Sequence, residues 1–149
     1  MLIGYTSGVF DLFHVGHLNL FKNAKSMCDK LVVGVSTDVL VGEYKDKTPL
    51  IPFADRLEIV RSIIYVDAVV PQESMDKVAM CKKVGASIMF MGDDKYNIPE
   101  WVEKEKEVNA HGIKVIYFPY TKAVSTTIIS DALMKTRGWI KIIEESNDG

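Results

Sequence analysis

Apolar and polar positions alternate in blocks along the chain, and these blocks predict strands and helices in turn. Five short apolar runs lack the alternation of apolar and polar residues that marks a strand with one solvent-exposed face. They are therefore typical of buried parallel strands. Pro71 follows the third run and is expected to end it. The runs are residues 2–6, 31–35, 68–70, 87–91 and 114–118.

The segments between these runs carry the spacing of helices. Apolar side chains recur three and four positions apart after the first strand, beginning at Leu18. Glycines or prolines stand at most of the expected helix ends. The further helices are predicted over residues 53–64, 75–84, 99–111 and 125–136, and residues 36–52 are expected to form a loop.

Strands that alternate with helices predict a Rossmann-like α/β fold, a doubly wound parallel five-stranded sheet with helices on both faces. We expect one domain over residues 1–138 and a C-terminal tail over residues 139–149. Ligands of such sheets bind beyond the carboxyl ends of the strands. The loops expected to carry function are residues 7–16, 36–52, 71–74, 92–99 and 119–125.

Composition excludes several classes of protein. The 149 residues carry a formal net charge of -2, which argues against a nucleic-acid partner. No apolar run approaches the ~18–20 residues of a membrane span, and no basic leader precedes the first strand, so we expect a cytoplasmic protein without membrane insertion. Two cysteines without zinc spacing predict no metal site. Neither GxxxxGK[ST] nor GxGxxG occurs, which disfavours a P-loop kinase and a dehydrogenase.

The loop after the first strand holds the strongest candidate chemistry. His14 and His17 are three positions apart, with Gly16 between them, where a strand passes into a helix. Free amides at a helix start attract anions, and histidine can donate to phosphate or carry charge near neutral pH. Gly8 and Gly16 leave room for a nucleotide backbone. The alternative is that His14 caps a turn and His17 lies on the surface.

His14-Val15-Gly16-His17 resembles the HxGH signature of the nucleotidyltransferase superfamily. Gly92-Asp93-Asp94 and Ser125-Thr126-Thr127, at matching places, are similar to the cytidylyltransferase branch, as in bacterial glycerol-3-phosphate cytidylyltransferases. The resemblance covers residues 2–133 and implies transfer of CMP from CTP to a phosphorylated small alcohol or polyol. The CDP-linked product would serve cell-wall, capsule or lipid precursor synthesis.

The resemblance also implies residue roles, a metal cofactor and an assembly. Mg²⁺ would be held mainly by the triphosphate and water, and the enzyme would be a homodimer. The implied catalytic residues are His14, His17, Lys47 and Arg56. The implied nucleotide-binding residues are Gly8, Val9, Phe10, Asp11, Gly16, Gly92, Asp94, Thr121, Ser125, Thr126 and Thr127. The implied acceptor-binding residues are Asp38, Lys45, Asp67, Tyr120 and Lys122.

The chain departs from the pattern of the cytidylyltransferases at the rim of the implied pocket. Val9 replaces a hydroxyl residue, Tyr120 an arginine, Ala123 a glycine and Lys95 an aromatic residue. These changes suggest a more polar or anionic acceptor than glycerol 3-phosphate. An adenylyltransferase of the same fold and a non-catalytic nucleotide-binding module are the alternatives.

A smaller alternative concerns two of the charged residues outside the histidine loop. Arg61 follows Arg56 on the same predicted helix, and Asp67 stands just before the third strand. Arg61 and Asp67 could form a structural ion pair instead of contacting substrate.

Overall fold

The computed structural model describes residues 1–45, 47–92, 96 and 98–119, which form a five-stranded parallel sheet and five helices. The strands are β1 (Ile3–Gly8), β2 (Lys30–Ser36), β3 (Ala68–Gln72), β4 (Ile88–Gly92) and β5 (Lys114–Phe118). The helices are α1 (Val15–Lys25), α2 (Asp38–Lys45), α3 (Phe53–Arg61), α4 (Lys77–Val84) and α5 (Pro99–Ala110).

The strand order is β3-β2-β1-β4-β5, and every neighbouring pair is parallel. Strands β2 and β3 are added on one side of β1, and β4 and β5 are added on the other side. The direction of strand addition therefore switches between β1 and β4. A switch of this kind opens a crevice at the carboxyl edge of the sheet. This arrangement confirms the predicted α/β fold and places the end of β1, at Gly8, beside that crevice.

Helices cover both faces of the sheet. On one face, Phe21 of α1 and Val60 of α3 pack with Val33 of β2 in one apolar cluster. On the other face, Cys81 of α4 and Trp101 of α5 belong to a second cluster. Each strand in the middle of the sheet is therefore buried on both sides, which explains its unbroken apolar sequence.

The largest differences from the sequence predictions concern three elements. Residues 38–45 form helix α2, because Thr37 caps a new helix: its hydroxyl accepts from the amide of Leu40 at 3.2 Å. Strand β3 continues through Pro71 to Gln72. Among the described strands, β3 is the outer one and pairs with β2 alone, so a missing amide is tolerated there. Helix α3 ends at Arg61, earlier than predicted.

Other predictions agree with the structure or lie outside it. Asp76 caps α4, and Gly85 ends that helix at φ 75°, the left-handed region that favours glycine. Among helices α1–α5, none combines the length and hydrophobicity that a bilayer crossing requires. The predicted helix over residues 125–136 and the tail over residues 139–149 lie outside the described residues.

A buried polar contact crosses three strands just below the carboxyl edge. The hydroxyl of Tyr5 on β1 donates to Oε1 of Gln72 on β3, and both side chains are buried. The bond passes over Gly34 of β2, where a Cβ would overlap the Tyr5 hydroxyl. Gly34 is therefore required by the side chain that crosses it, and not by its own backbone conformation.

We expect Gly34→Ala to lower the free energy of unfolding by about 1–3 kcal/mol, because the added methyl displaces Tyr5 from Gln72. Gly42→Ala is the matched control, since no atom lies within 4 Å of the position of a Cβ on this helical glycine. That control should raise stability by about 0.5–1 kcal/mol. Urea denaturation measures both values, and equal stability of the two variants would contradict the role of Gly34.

Candidate active site

Two histidines meet at the amino end of α1, directly beyond β1. His14 is the N-cap of the helix, with extended backbone at φ -141° and ψ 177°. Its Nδ1 accepts from the amide of Gly16 at 3.0 Å, and Nδ1 of His17 accepts from the amide of His14 at 3.3 Å. The two rings stack with their centroids 3.8 Å apart. The His14 side chain thus does what Ser, Thr or Asp does at an ordinary helix start.

These hydrogen bonds fix the tautomer of both rings. A ring nitrogen that accepts from an amide carries no proton, so the neutral imidazole bears its proton on Nε2. His14 and His17 therefore present two Nε2–H donors from one helix turn. Both side chains are half-buried. The arrangement suits the binding of anionic oxygens beside the positive end of the helix dipole.

Burial favours the neutral form of both rings. Burial lowers the pKa of His14. Burial, together with the adjacent His14, lowers the pKa of His17 to about 3, although Asp11 opposes this change. Both shifts favour the neutral imidazole over the charged form that a histidine can adopt near neutral pH. The contribution of the two rings to anion binding comes from hydrogen bonds.

The loop that presents the histidines is strained. Phe10 has φ 54° and Leu12 has φ 49°, values that cost a non-glycine residue of order 1–3 kcal/mol each. The buried Phe10 ring lies edge-on to His17, with centroids 5.3 Å apart. A Cβ on Gly8 would lie 3.0 Å from this ring. Gly8 thus makes room for Phe10, and the ring of Phe10 supports His17 from within.

Asp11 and Arg56 both hydrogen-bond to the protein backbone. Both carboxylate oxygens of Asp11 accept backbone amides, from Leu50 at 2.8 Å and Ile51 at 2.9 Å. The side chain of Arg56 is fully buried, and its guanidinium donates to three backbone carbonyls and to Asp38. A guanidinium in this position does not meet a substrate anion, so the prediction of Arg56 as an anion clamp is wrong.

Asp38 and Asp67 are likewise engaged by the protein. Asp38 accepts from Arg56 and from the amide of Phe53 at 3.2 Å, which does not support a role in acceptor binding. Asp67 precedes β3 and lies at the amino edge of the sheet, opposite the histidines. It pairs with Lys25 at 2.7 Å and accepts from the amide of Leu31. Asp67 is therefore a structural residue.

The environment of Asp67 agrees with this structural role. Burial raises the pKa of the carboxyl group, but the bonds from Lys25 and Leu31 outweigh burial and lower it overall. The alternative of an Arg61–Asp67 ion pair is not observed: Arg61 pairs with Glu58 on its own helix, and Asp67 pairs with Lys25.

The remaining predicted site residues divide into two groups. Lys47 is exposed three residues before Leu50, so it lies on the segment held by Asp11. Lys45 ends α2 with its Nζ 5.7 Å from the Tyr44 ring, and Gly92 ends β4 at the carboxyl edge. Val9 contributes its carbonyl to Arg56. The positions outside the described residues are Asp94, Lys95, Tyr120, Thr121, Lys122, Ala123, Ser125, Thr126 and Thr127.

Within the described ranges, no group of three His, Cys, Asp or Glu side chains could hold a metal ion. Asp11, the carboxylate nearest in sequence to the histidines, already accepts two amides.

Sequence reasoning missed the ordering of Leu50 and Ile51, which hold the lysine-bearing segment against the histidine loop. A signal was present: Pro49 and Pro52 flank this pair and restrict each preceding residue to extended conformations. Such a segment is easier to order than a loop rich in glycine.

The depressed pKa of His17 predicts acid destabilisation. The unfolded chain binds a proton at the ordinary value of 6.5, whereas the folded chain resists it down to about 3. The contribution of His17 to stability is thus complete above about pH 6.5 and is lost as pH falls toward 3, by at most ~1.4 kcal/mol per pH unit. Urea denaturation across this range should show a steeper loss for the wild type than for His17→Asn. If the free energy of unfolding falls equally with pH in both proteins, the acid destabilisation does not come from His17.

Comparison with known proteins agrees with this architecture. The crystal structure of a lipopolysaccharide core biosynthesis protein from Thermoplasma volcanium superposes with a TM-score of 0.67 at 27% identity, over 81% of this chain and 97% of that one. A pantoate-beta-alanine ligase from Francisella tularensis, 15% identical, superposes with a TM-score of 0.58 over 88% of this chain and 68% of that one. The second likeness concerns the fold alone.

Sequence relatives are more similar. The FAD synthase of Thermococcus kodakarensis is 36% identical over 116 residues, which are 76% of this chain and 76% of that protein. The bifunctional protein HldE of Nitrosococcus oceani is 33% identical over 131 residues, which are 87% of this chain and 27% of that protein. Residues 5–132 match the family described as cytidylyltransferase-like. Because this match includes the histidine pair and most of the chain, the protein belongs to the cytidylyltransferase-like family of nucleotidyltransferases.

Proposed function

We propose that this enzyme transfers AMP from ATP to a small phosphate monoester and releases pyrophosphate. One observation carries the nucleotidyl-transfer chemistry: two imidazoles, each with Nδ1 accepting from a backbone amide, place Nε2–H donors at the start of α1. This start lies at the carboxyl end of β1, next to the switch in strand order, where α/β sheets bind nucleotides.

The chemistry is an in-line displacement. An oxygen of the acceptor phosphate attacks the α-phosphorus of ATP, the bond from that phosphorus to the bridging oxygen breaks, and pyrophosphate leaves with the bonding electrons. His14 and His17 donate hydrogen bonds to the phosphate oxygens on which charge accumulates, and Lys47 adds a point charge from the neighbouring segment. The residues stay fixed during the step, since the helix cap already orients both rings.

Relatives support ATP as the nucleotide. FAD contains AMP joined to FMN through a diphosphate bond, so a FAD synthase of this fold forms the bond proposed here. The similarity to archaeal FAD synthases extends over about three quarters of both chains. FMN is therefore the first acceptor to test, and it is an anionic phosphate ester, as the changes at the pocket rim suggest. The glycerol 3-phosphate assignment derived from sequence has less support.

CMP transfer is the second candidate. The family that matches residues 5–132 is described as cytidylyltransferase-like, and the HxGH, Gly-Asp-Asp and Ser-Thr-Thr segments resemble that branch. The acceptor in this case is a phosphorylated polyol such as glycerol 3-phosphate. The two candidates share the histidine chemistry and differ in the base and in the acceptor.

Two further features of the proposal come from the family. Mg²⁺ would neutralise charge on the triphosphate, held by phosphate oxygens and water and not by a cluster of protein ligands. A homodimer and a cytoplasmic location remain predictions from the resemblance and the composition.

A pyrophosphate-release assay with each nucleoside triphosphate against FMN, a sugar 1-phosphate and glycerol 3-phosphate tests the proposal. We expect release that needs both ATP and an acceptor. Release from CTP alone among the nucleotides would favour the second candidate. Nucleotide binding without release for any pair would indicate a non-catalytic module.

The variants His17→Asn and His17→Gln distinguish the roles of the two ring nitrogens of His17. The Asn carbonyl can replace Nδ1 as acceptor of the His14 amide but has no donor at the position of Nε2, whereas the longer Gln amide can reach that position. We expect His17→Asn to lower kcat by about 10²–10³-fold and His17→Gln to retain more activity. Helix content by circular dichroism controls for folding. Near-wild-type turnover of His17→Asn would remove His17 from the mechanism.

A further inference from the structure

Both backbone polar groups of Ile51, its N–H and its carbonyl, are bonded to side chains of other segments. Its N–H donates to Oδ1 of Asp11 at 2.9 Å, and its carbonyl accepts from Nε of Arg56 at 2.8 Å. The preceding amide, of Leu50, donates to the other oxygen of Asp11. We call this arrangement the Ile51 clamp; it consists of Asp11, Ile51 and Arg56. It fastens the segment that carries Lys47 to the loop that carries the histidines.

Arg56 also holds the histidine loop itself. Its Nη1 donates to the carbonyls of Val9 and Ser36, each at 2.7 Å, and its Nη2 donates to Asp38 at 2.7 Å. Val9 precedes Phe10, whose ring supports His17. A single buried guanidinium therefore links the loop after β1, the end of β2, the start of α2 and the segment before α3.

We infer that Arg56, with Asp11, is a positioning residue that sets the placement of Lys47 relative to His14 and His17. The inference rests on the proposed function, because it assigns the clamp to the same site. Lys47 lies three residues before Leu50, a span of at most ~11 Å of extended chain. Fastening Leu50 and Ile51 therefore restricts the volume that Lys47 can reach.

Stability alone does not explain a fully buried arginine here. The guanidinium of Arg56 is removed from water while its partner Asp38 stays partly exposed, and this desolvation offsets the attraction between the two charges. The planar fork of arginine serves four acceptors on separate segments, which the single ammonium of lysine cannot do with the same geometry. The cost of burial is consistent with a residue retained to fix one arrangement of these segments.

The test compares Arg56→Lys with Arg61→Lys. Arg61 is the matched control because it lies on the same helix, is exposed and pairs only locally with Glu58 among its described ion pairs. We expect Arg56→Lys to lower kcat/KM by about 10²-fold, since small misplacements of a catalytic group cost about this much. Arg61→Lys should leave it unchanged. Thermal melts establish that each variant is folded, and Asp11→Asn replaces Arg56→Lys if that variant does not fold.

A double-mutant cycle with Lys47→Ala identifies the route of the effect. If Arg56 acts through Lys47, Arg56→Lys should cause little further loss of kcat/KM in the Lys47→Ala background. The same fold-loss in both backgrounds would overturn the inference, since Arg56 would then act independently of Lys47.

Hydrogen exchange separates failure of this inference from failure of the proposed function. The amides of Leu50 and Ile51 should exchange faster in Arg56→Lys than in the wild type and remain protected in Arg61→Lys. If no pair of nucleotide and acceptor releases pyrophosphate, the proposed function fails. The exchange rates alone then show whether Arg56 holds the segment at Leu50 and Ile51. Unchanged exchange at both amides in Arg56→Lys would overturn the positioning role.

Discussion

The candidate site depends on one kind of hydrogen bond, from a backbone amide to an imidazole Nδ1. The amide of Gly16 donates to His14 and the amide of His14 donates to His17, and the two bonds close the first turn of α1. These two bonds start the helix, orient both rings and keep the ring proton on Nε2. A helix cap of Ser or Asp would satisfy the same amides, but it would leave no second nitrogen to address a phosphate.

Burial of the rings determines how they interact with an anion. The rings of Phe10 and Phe13 lie beside His17, each with a centroid distance of 5.3 Å, and His14 covers a further side. An imidazole so enclosed stays neutral, as the pKa of about 3 indicates, and so it acts on an anion as an oriented donor. The strained backbone at Phe10 and Leu12 lies in the same loop, and the ring of Phe10 packs against His17. Strain at this loop is thus offset by the packing that it permits.

The sequence predicts the fold well because periodicity reports burial, and burial determines the faces of the sheet. It predicts β5 at residues 114–118, and the structure has the same bounds. It misses α2 because a short helix with Gly42 in its interior has little periodic signal, and the Thr37 cap starts it. It cannot place Arg56, because whether an arginine faces solvent or four acceptors depends on segments 5 to 47 residues away. Family resemblance located the histidine pair, but the neutral state of the rings follows from contacts that only the folded chain reveals.

Pro71 has a consequence for association between chains. It stands in β3, the outer strand on one side of the part of the sheet that the structure describes, where unpaired backbone groups could pair with a strand from another molecule. An imino nitrogen offers no hydrogen to such a strand, and its exposed ring obstructs the approach. Pro71, which sequence reasoning expected to end β3, thus hinders the pairing of β3 with a strand of another molecule.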